Sequence, residues 1–331
     1  MWSYIIYTSS AILATIFTGS ILLFYTSPKH IMFLLLKLQT KRCGMSVKFV
    51  GDENYMYCYG ERGSKNPKKT SILMIHGFSA SKDMFLGLYK RLPSDVHLIS
   101  MDLPGHGSSF TPKPDDEIGL KYMVHHIHRF VKLVGLYESP FHLIGTSLGG
   151  AIVGHFTMEY PELVDRLSLI CPAMKTPEES IFSKTANEAL LKGIENVEYK
   201  DLILLPVTPS EGQKMFDCVV YHKQLINKQV LQGLMDLRKP KNEFFLSLFK
   251  ALAKEDCTSL LEDKASEIKC PTQIIWGKHD EVIDVSGAEV LHKKLANCKH
   301  IDIIERAGHS ILLDRPGALT KSLLVFRGEY S

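Results

Sequence analysis

The sequence lacks the features that mark disulfide-rich, zinc-binding and nucleic-acid-binding proteins. Its seven cysteines are scattered and form no C-x-x-C pair, which argues against both a disulfide framework and a zinc site. The formal net charge of +3 is small and evenly spread, so nucleic acid is not an expected partner. The absence of any N-x-S/T sequon favours a reducing, non-secretory compartment. We expect neither a metal nor a cofactor.

Charge is also absent from residues 1–28, which we predict to be an N-terminal transmembrane anchor. Residues 4–26 are almost wholly apolar or small, and as a helix they would be ~35 Å long, enough to cross a hydrocarbon core of ~30 Å. A cleaved signal peptide should begin with basic residues and end in a small-residue cleavage site, and this segment does neither.

The basic residues follow the apolar segment instead, at Lys29, Lys37, Lys41 and Arg42. The positive-inside rule therefore predicts a single-pass membrane protein whose short N-terminus is outside and whose remaining chain faces the cytoplasm. Residues 29–42 form a basic juxtamembrane segment, and the apolar run 31–36 is too short for a second span, so we expect it along the membrane interface. The choice of organelle membrane stays open.

Beyond the anchor, short apolar runs alternate with helical stretches. Two strands are predicted at 46–50 and 55–59, followed by runs at 71–75, 96–101, 141–144, 167–170, 272–276 and 300–304. Continuously apolar runs of this length are typical of strands buried on both faces of a parallel sheet. Helical stretches at 84–92, 122–134 and 285–295 fall between them, so the fold class is α/β, with a mostly parallel sheet covered by helices on both faces.

One long stretch, residues 172–263, contains no strand-like run with suitable flanks. Apolar residues recur in it at helical spacing, among them Phe244, Phe245, Leu248, Phe249 and Leu252. We interpret it as a helical cap over the carboxyl ends of the strands. The predicted organisation is an anchor (1–28), a juxtamembrane segment (29–42), a core in two parts (43–171 and 264–331) and the cap between them.

The strongest motif is G-x-S-x-G at residues 145–149, where an apolar strand leads into a turn and then a helix. Glycines at 145 and 149 permit a sharp strand-to-helix turn that leaves the Ser147 hydroxyl exposed. A serine hydroxyl is a poor nucleophile until a base takes its proton. Ser147 is therefore the predicted nucleophile, and the chain must supply a base.

In folds with this elbow the acid and the histidine follow the serine along the chain, in that order. Asp280 comes directly after the strand at 272–276, and His309 comes after the strand at 300–304, so both lie where such sheets place their sites. Asp284 is a competing acid four residues on. We favour Asp280 because it falls in the turn, whereas Asp284 stands where the next helix begins and can cap it.

Backbone N–H groups are expected to stabilise the oxyanion of the reaction. The amide of Leu148, next after the nucleophile, is one predicted donor. The other is Phe78, in the loop after the strand at 71–75, where Gly77 permits a tight turn.

Taken together, His76-Gly-Phe78, Asp102-x-Pro-Gly-His-Gly107, the serine elbow and the loops of Asp280 and His309 resemble the α/β-hydrolase superfamily. The longer sequence segments at 71–80, 145–149, 171–173, 271–278 and 284–288 are similar to those of the membrane-bound monoacylglycerol lipases of this superfamily. The resemblance covers residues 43–326. It implies a serine esterase that releases a fatty acid from monoacylglycerols at a membrane, with lysophospholipids as a second substrate class.

Three alternatives are open. Carbon–carbon bond hydrolases of the same fold keep the serine, although a membrane anchor suits a small polar substrate poorly. The H-x-x-x-x-D pattern from His309 to Asp314 is linked to glycerolipid acyltransferases, but this histidine is already part of the predicted triad. A non-catalytic scaffold has no physical reason to keep all three triad residues. Acyl-chain preference, protein partners and oligomeric state are left open.

Overall fold

A computed structural model describes residues 15 and 17–330 of the chain. Most of the predicted anchor, residues 1–14 and 16, lies outside the described residues. Helix α1 (Phe17–Thr26) is followed by α2 (Pro28–Arg42), and the two are bent by 115° at their junction. Within the described part, no single helix has the length and apolarity to cross a membrane, although this bent pair meets both criteria when taken together.

Eight strands form one mixed sheet. They are β1 (Ser46–Gly51), β2 (Met56–Arg62), β3 (Ile72–Ile75), β4 (Leu98–Met101), β5 (Phe141–Thr146), β6 (Val164–Ile170), β7 (Thr272–Gly277) and β8 (Cys298–Ile304). The order across the sheet is β1-β2-β4-β3-β5-β6-β7-β8. Strand β2 is antiparallel to both its neighbours, and β3 to β8 run parallel. Every predicted strand is confirmed, and so is the predicted fold class.

The central strands are apolar because both faces of the sheet are covered. All residues of β3, β4, β5 and β7 are buried, as expected of parallel strands between two layers of helices. In the core, the helices are α3 (Leu86–Arg91), α4 (Leu120–Leu133), α5 (Leu148–Glu159), α11 (Gly287–Lys294), α12 (Ile311–Asp314) and α13 (Pro316–Arg327). Helix α3 packs with α13, and α4 packs with α5.

The strand order brings the carboxyl ends of particular strands together. Strand β3 pairs with β4 on one side and with β5 on the other, so the chain reverses its direction of winding at β3. In open α/β sheets, ligands bind at such a switch point, beyond the carboxyl ends of the strands. The loops after β3 and β5 are therefore neighbours, and those after β6, β7 and β8 continue the same edge.

The stretch predicted as a cap contains five α-helices and, among the described residues, no strand. They are α6 (Ile181–Leu190), α7 (Pro209–Val219), α8 (Lys228–Arg238), α9 (Asn242–Lys254) and α10 (Cys257–Lys264). In α9 the predicted spacing is confirmed, with Phe245, Leu248 and Leu252 buried. Helix α10 packs closely on core helix α5. A Cβ added at Gly154 of α5 would lie only 2.4 Å from Leu261 Cδ1 of α10.

The N-terminal helix α2 packs against α8. A Cβ added at Gly233 of α8 would lie 2.7 Å from Met32 Cγ and 2.9 Å from the Pro28 carbonyl group, so only a glycine permits this approach. Pro28 and Met32 are buried at this contact, and Thr40, near the end of α2, is buried as well. The segment beside the predicted anchor is thus part of the folded body of the protein.

Candidate active site

Ser147 occupies a strained turn between β5 and α5. Its backbone has φ 55° and ψ −126°, a conformation that costs a non-glycine residue free energy and is concentrated at functional sites. The flanking glycines make the turn sterically possible. A Cβ at Gly145 would lie 2.4 Å from the Gly149 carbonyl oxygen, and a Cβ at Gly149 would lie 2.4 Å from the carbonyl oxygens of Ile75 and His76.

The loop after β3 closely approaches the serine. A Cβ added at Gly77 would lie 2.9 Å from Ser147 Cβ, so glycine is needed for this approach. The next residue, Phe78, lines the same cavity as Ser147 and Leu148. Leu148 is the first residue of α5, where a backbone amide has no intrahelical acceptor. In the part of the chain that the structure describes, neither the Phe78 nor the Leu148 amide donates a hydrogen bond to a loop or side-chain acceptor.

Asp280 and His309 are brought together by the loops after β7 and β8. His309 Nδ1 lies 2.8 Å from Asp280 Oδ2, and the carboxylate is fully buried. The other carboxylate oxygen, Oδ1, accepts from the amides of Val282 and Ile283 at 2.8 and 2.9 Å. Because an ionised carboxylate only accepts, this contact favours the tautomer of a neutral His309 in which Nδ1 carries the proton and Nε2 does not.

Asp284, the competing acid, is engaged elsewhere. Its Oδ1 accepts from the Ser286 amide at 2.8 Å, two residues along the chain. Among the described residues, no hydrogen bond joins Asp284 to His309, and none joins the Ser147 hydroxyl to His309. Hydrogen bonds of catalytic groups are often long in unliganded proteins and shorten when substrate binds.

Cys171 is a neighbour of this pair that sequence reasoning did not assign to the site. Its sulfur and the polar atoms of Asp280 and His309 lie within 4.8 Å of one another. Burial, and secondarily the Asp280 carboxylate, raise the pKa of the Cys171 thiol well above its usual range. A thiol held protonated is a poor metal ligand, so we interpret Cys171 as a packed neighbour of the acid. In the sequence, the only sign of its place in the site is that it directly follows β6. In the sheet, β6 lies between β5, which leads to Ser147, and β7, which leads to Asp280.

A cavity of about 540 Å³ opens over Ser147 and is lined mainly by the cap. Its apolar wall includes Phe182, Leu190, Leu204, Phe249 and Leu252. Polar side chains of Lys175, Glu179, Asn187 and Asp256 also contribute to its lining. Lys175 Nζ and Asp256 Oδ2 form an exposed ion pair at 2.8 Å. The cavity therefore offers an apolar surface to a hydrocarbon chain and polar groups to a hydrophilic one.

A second cavity, of about 780 Å³, lies where the junction of α1 and α2 meets the cap. Ser27, Lys29, Asp236 and Lys239 are among its lining residues, and none of the predicted site residues borders it. The chemistry is expected in the cavity over Ser147.

Comparison with known proteins identifies relatives of this chain and of its fold. Residues 70–316 match the model of the family described as alpha/beta hydrolase fold. The chain is 42% identical over 285 residues to monoacylglycerol lipase abhd6-A of Xenopus laevis, covering 86% of this chain and 82% of the relative. It is 41% identical over 284 residues to human monoacylglycerol lipase ABHD6, with the same coverage. Among solved structures, a membrane phospholipase A described as a bacterial virulence factor superposes with a TM-score of 0.80 at 26% identity, covering 96% of this chain and 97% of that one.

Proposed function

The chain belongs to the alpha/beta-hydrolase family, and on that premise we propose that it is a membrane-bound serine hydrolase that cleaves monoacylglycerols into fatty acid and glycerol. Lysophospholipids are the second substrate class of the proposal. The observation that carries it is the buried Asp280–His309 pair at the same edge of the sheet as Ser147, which lines a mainly apolar cavity. The relatives that share about two fifths of its residues are monoacylglycerol lipases.

The proposed mechanism is acyl transfer in two steps. Asp280 holds the proton on His309 Nδ1, so that Nε2 takes the proton of Ser147 as its hydroxyl oxygen attacks the ester carbonyl. The amides of Phe78 and Leu148 donate to the oxyanion that forms. The imidazolium then protonates the departing glycerol oxygen, and an acyl-serine remains. Water, deprotonated by the same imidazole, attacks the acyl carbonyl and releases the fatty acid.

The cavity supports a substrate with one apolar and one polar end. Each methylene of an acyl chain gains about 0.8 kcal/mol when it leaves water for an apolar surface. Phe182, Leu190 and Phe249 offer such a surface, while Lys175 and Asn187 offer hydrogen-bonding partners to a glycerol or phosphoglycerol group. Turnover of a panel of monoacylglycerols and lysophospholipids by the detergent-solubilised protein tests the proposal. A protein that hydrolyses neither class contradicts it.

Membrane attachment through residues 1–28 is part of the proposal, with the core and cap on the cytoplasmic side. It is supported by exposed apolar side chains along α1 and α2, including Phe17, Leu22, Phe33, Leu34 and Leu35. Phe33 to Leu35 extend the exposed apolar face onto α2, the helix that also packs on the cap. An exposed apolar face on a helix that packs on the cap supports attachment of the folded body to the bilayer interface.

Removal of residues 1–26 tests this attachment and leaves α2 in place on the cap. A deletion through residue 40 would strip buried Met32 and Thr40 from the fold, and would confuse delivery with stability. The shorter deletion should release the protein from carbonate-washed membranes. Hydrolysis of long-chain monoacylglycerol in bilayers should fall at least about tenfold, because each methylene crossing water costs about 0.8 kcal/mol.

A short soluble ester is the internal control, because it needs no delivery from a bilayer. Its turnover should stay within about twofold of the full chain, as for changes remote from a packed site. Equal losses on both substrates would show that residues 1–26 support folding. A mature chain that begins after Thr26 would identify the segment as a signal peptide, and the anchor would be rejected.

Acyl transfer is the activity that competes with hydrolysis in this proposal. A substitution of Asp314, the second residue of the H-x-x-x-x-D pattern, distinguishes the two activities. The Asp314 carboxylate accepts from the amides of Gly308 and Tyr221 at 2.9 and 2.8 Å and from His222 at 3.2 Å. It therefore fastens the loop before His309 to the segment after α7. Asp314→Asn removes part of this charge-assisted bonding and should cost about 1.5–3 kcal/mol of unfolding free energy in urea.

The same substitution should reduce hydrolysis and acyl transfer to a lysophospholipid acceptor by the same factor, since both depend on the position of His309. The ratio of the two products is the measurement. A selective loss of transfer, with hydrolysis intact, would favour the acyltransferase function over ours.

A further inference from the structure

Arg238, the last residue of cap helix α8, reaches across to the loop that carries Phe78. Its Nη2 donates to Ser79 Oγ at 2.8 Å and to the Leu204 carbonyl at 2.9 Å, and its Nη1 donates to the Ser79 carbonyl at 3.3 Å. Ser79 Oγ also donates to the Leu204 carbonyl at 3.4 Å. One guanidinium thus joins the residue after the predicted oxyanion donor to two segments of the cap.

Ser79 needs such support. Its φ of 54° lies in the left-handed region, which costs a residue with a Cβ free energy unless its surroundings hold it there. Ser79 is 8% exposed, so water does not satisfy its polar atoms. If Ser79 relaxed, the Phe78–Ser79 peptide would rotate. The backbone dihedrals of Phe78 would then have to compensate, and this change would move the Phe78 N–H away from the position of the oxyanion.

Arg238 is an unusual residue to find in this position. Among the described residues, no aspartate or glutamate lies within ion-pair distance of its guanidinium, and its Nε is buried without a partner. Burial lowers the pKa of Arg238 to about 10. A half-buried cation without a counter-ion is costly, and packing alone would be served better by an apolar side chain.

We propose that Arg238 is a positioning residue that holds the oxyanion loop, through Ser79, in the geometry in which the Phe78 amide donates to the transition state. The inference rests on the proposed function, in particular on Ser147 as the nucleophile and on Phe78 as the donor. It makes a cap helix part of the catalytic geometry, in addition to its role in lining the cavity.

The test uses the full-length protein in detergent and a short soluble ester, with Arg238→Gln as the variant. Lys239→Gln, which removes the exposed neighbouring cation, is the matched control. We expect Arg238→Gln to lower kcat about tenfold to a hundredfold, less than outright loss of an oxyanion donor, with KM changed little. Affinity for an alkyl trifluoromethyl ketone, whose adduct with Ser147 carries an oxyanion, should fall by the same factor as kcat/KM.

Ser79→Gly supplies a rescue that a merely structural contact would not give. Glycine adopts the left-handed conformation without a Cβ penalty, so the loop no longer needs to be held. In the Arg238→Gln background, Ser79→Gly should recover about tenfold of the lost kcat, the factor that corresponds to the cost of a left-handed residue with a Cβ. Arg238→Lys keeps the positive charge but lacks the paired N–H groups of the guanidinium. Its kcat should lie between those of wild type and Arg238→Gln.

Active-site titration with a fluorophosphonate separates positioning from folding. If Arg238→Gln lowers the number of titratable sites but not the turnover per site, Arg238 supports folding only, and the proposal is overturned. The proposal is also overturned if the kcat of Arg238→Gln lies within about twofold of that of Lys239→Gln, or if Ser79→Gly does not restore kcat in the Arg238→Gln background. If wild type hydrolyses esters through Ser147 in any of these cases, the proposed function still stands. A wild type without ester turnover contradicts the proposed function itself.

Discussion

Ser147→Ala is expected to abolish ester hydrolysis, with a loss on the order of 10⁶ in kcat, as for the serine of a well-studied triad. The physical reason is that the proposed mechanism forms its acyl intermediate on the Ser147 oxygen, which alanine lacks. The Cys171 thiol lies beside Asp280, but it is fully buried and does not line the cavity over Ser147, so substrate does not reach it. The measurement is kcat on a monoacylglycerol, together with labelling by a fluorophosphonate probe, which should disappear.

The fold should survive this substitution. The Ser147 hydroxyl makes no hydrogen bond within the described structure, and alanine keeps the Cβ that packs beside Gly77. The melting temperature should therefore change little. Ser247→Ala, on the exposed face of α9, is the matched control and should keep both turnover and labelling. Labelling that persists in Ser147→Ala would mean that the nucleophile is a different residue.

The sheet could be read from the sequence because strands buried on both faces consist of continuous apolar residues. The departures occur where that condition weakens. Strand β6 begins at Val164, three residues before the predicted start, because Asp165 and Arg166 are half-exposed and interrupt the apolar run although the backbone already pairs with β5. Short runs of apolar residues therefore predict which segments are strands. Where each strand begins and ends depends on its hydrogen bonds with neighbouring strands, which the apolar pattern does not show.

The site could be predicted only as far as local motifs extend. The loops of Ser147, Asp280 and His309 each follow a recognisable strand, and the shared sheet edge brings them near one another. Contacts between distant segments carry no such signal. Arg238 reaches Ser79 over 159 residues, and neither residue belongs to a motif that implies the other. Cap helices are set by tertiary packing, as at Gly233 against Met32, so the contacts that shape the cavity emerged only from the structure.

Asp280→Asn should reduce kcat by ~10⁴, by analogy with the same change in a serine protease triad. The hydrogen bonds of Asp280 explain why an isosteric change is so damaging. Oδ1 accepts from the amides of Val282 and Ile283, so the amide oxygen of an asparagine would stay on that side. Its NH₂ group would then face His309 Nδ1, which must become an acceptor and lose its proton. His309 would carry its proton on Nε2, and could not take one from Ser147.

Asp284→Asn is the matched control, because Asp284 is the nearest competing acid and the only hydrogen bond of its side chain in the described structure is with the Ser286 amide. An asparagine oxygen accepts that bond equally well, so kcat should stay within about twofold of wild type. Michaelis parameters on one short ester, with active-site titration for both variants, give the comparison. Since the tautomer affects proton transfer and not binding, KM should be similar in all three proteins. The reverse ranking, with Asp284→Asn the more damaging change, would assign the acid of the triad to Asp284 and would require the β7 loop to rearrange when substrate binds.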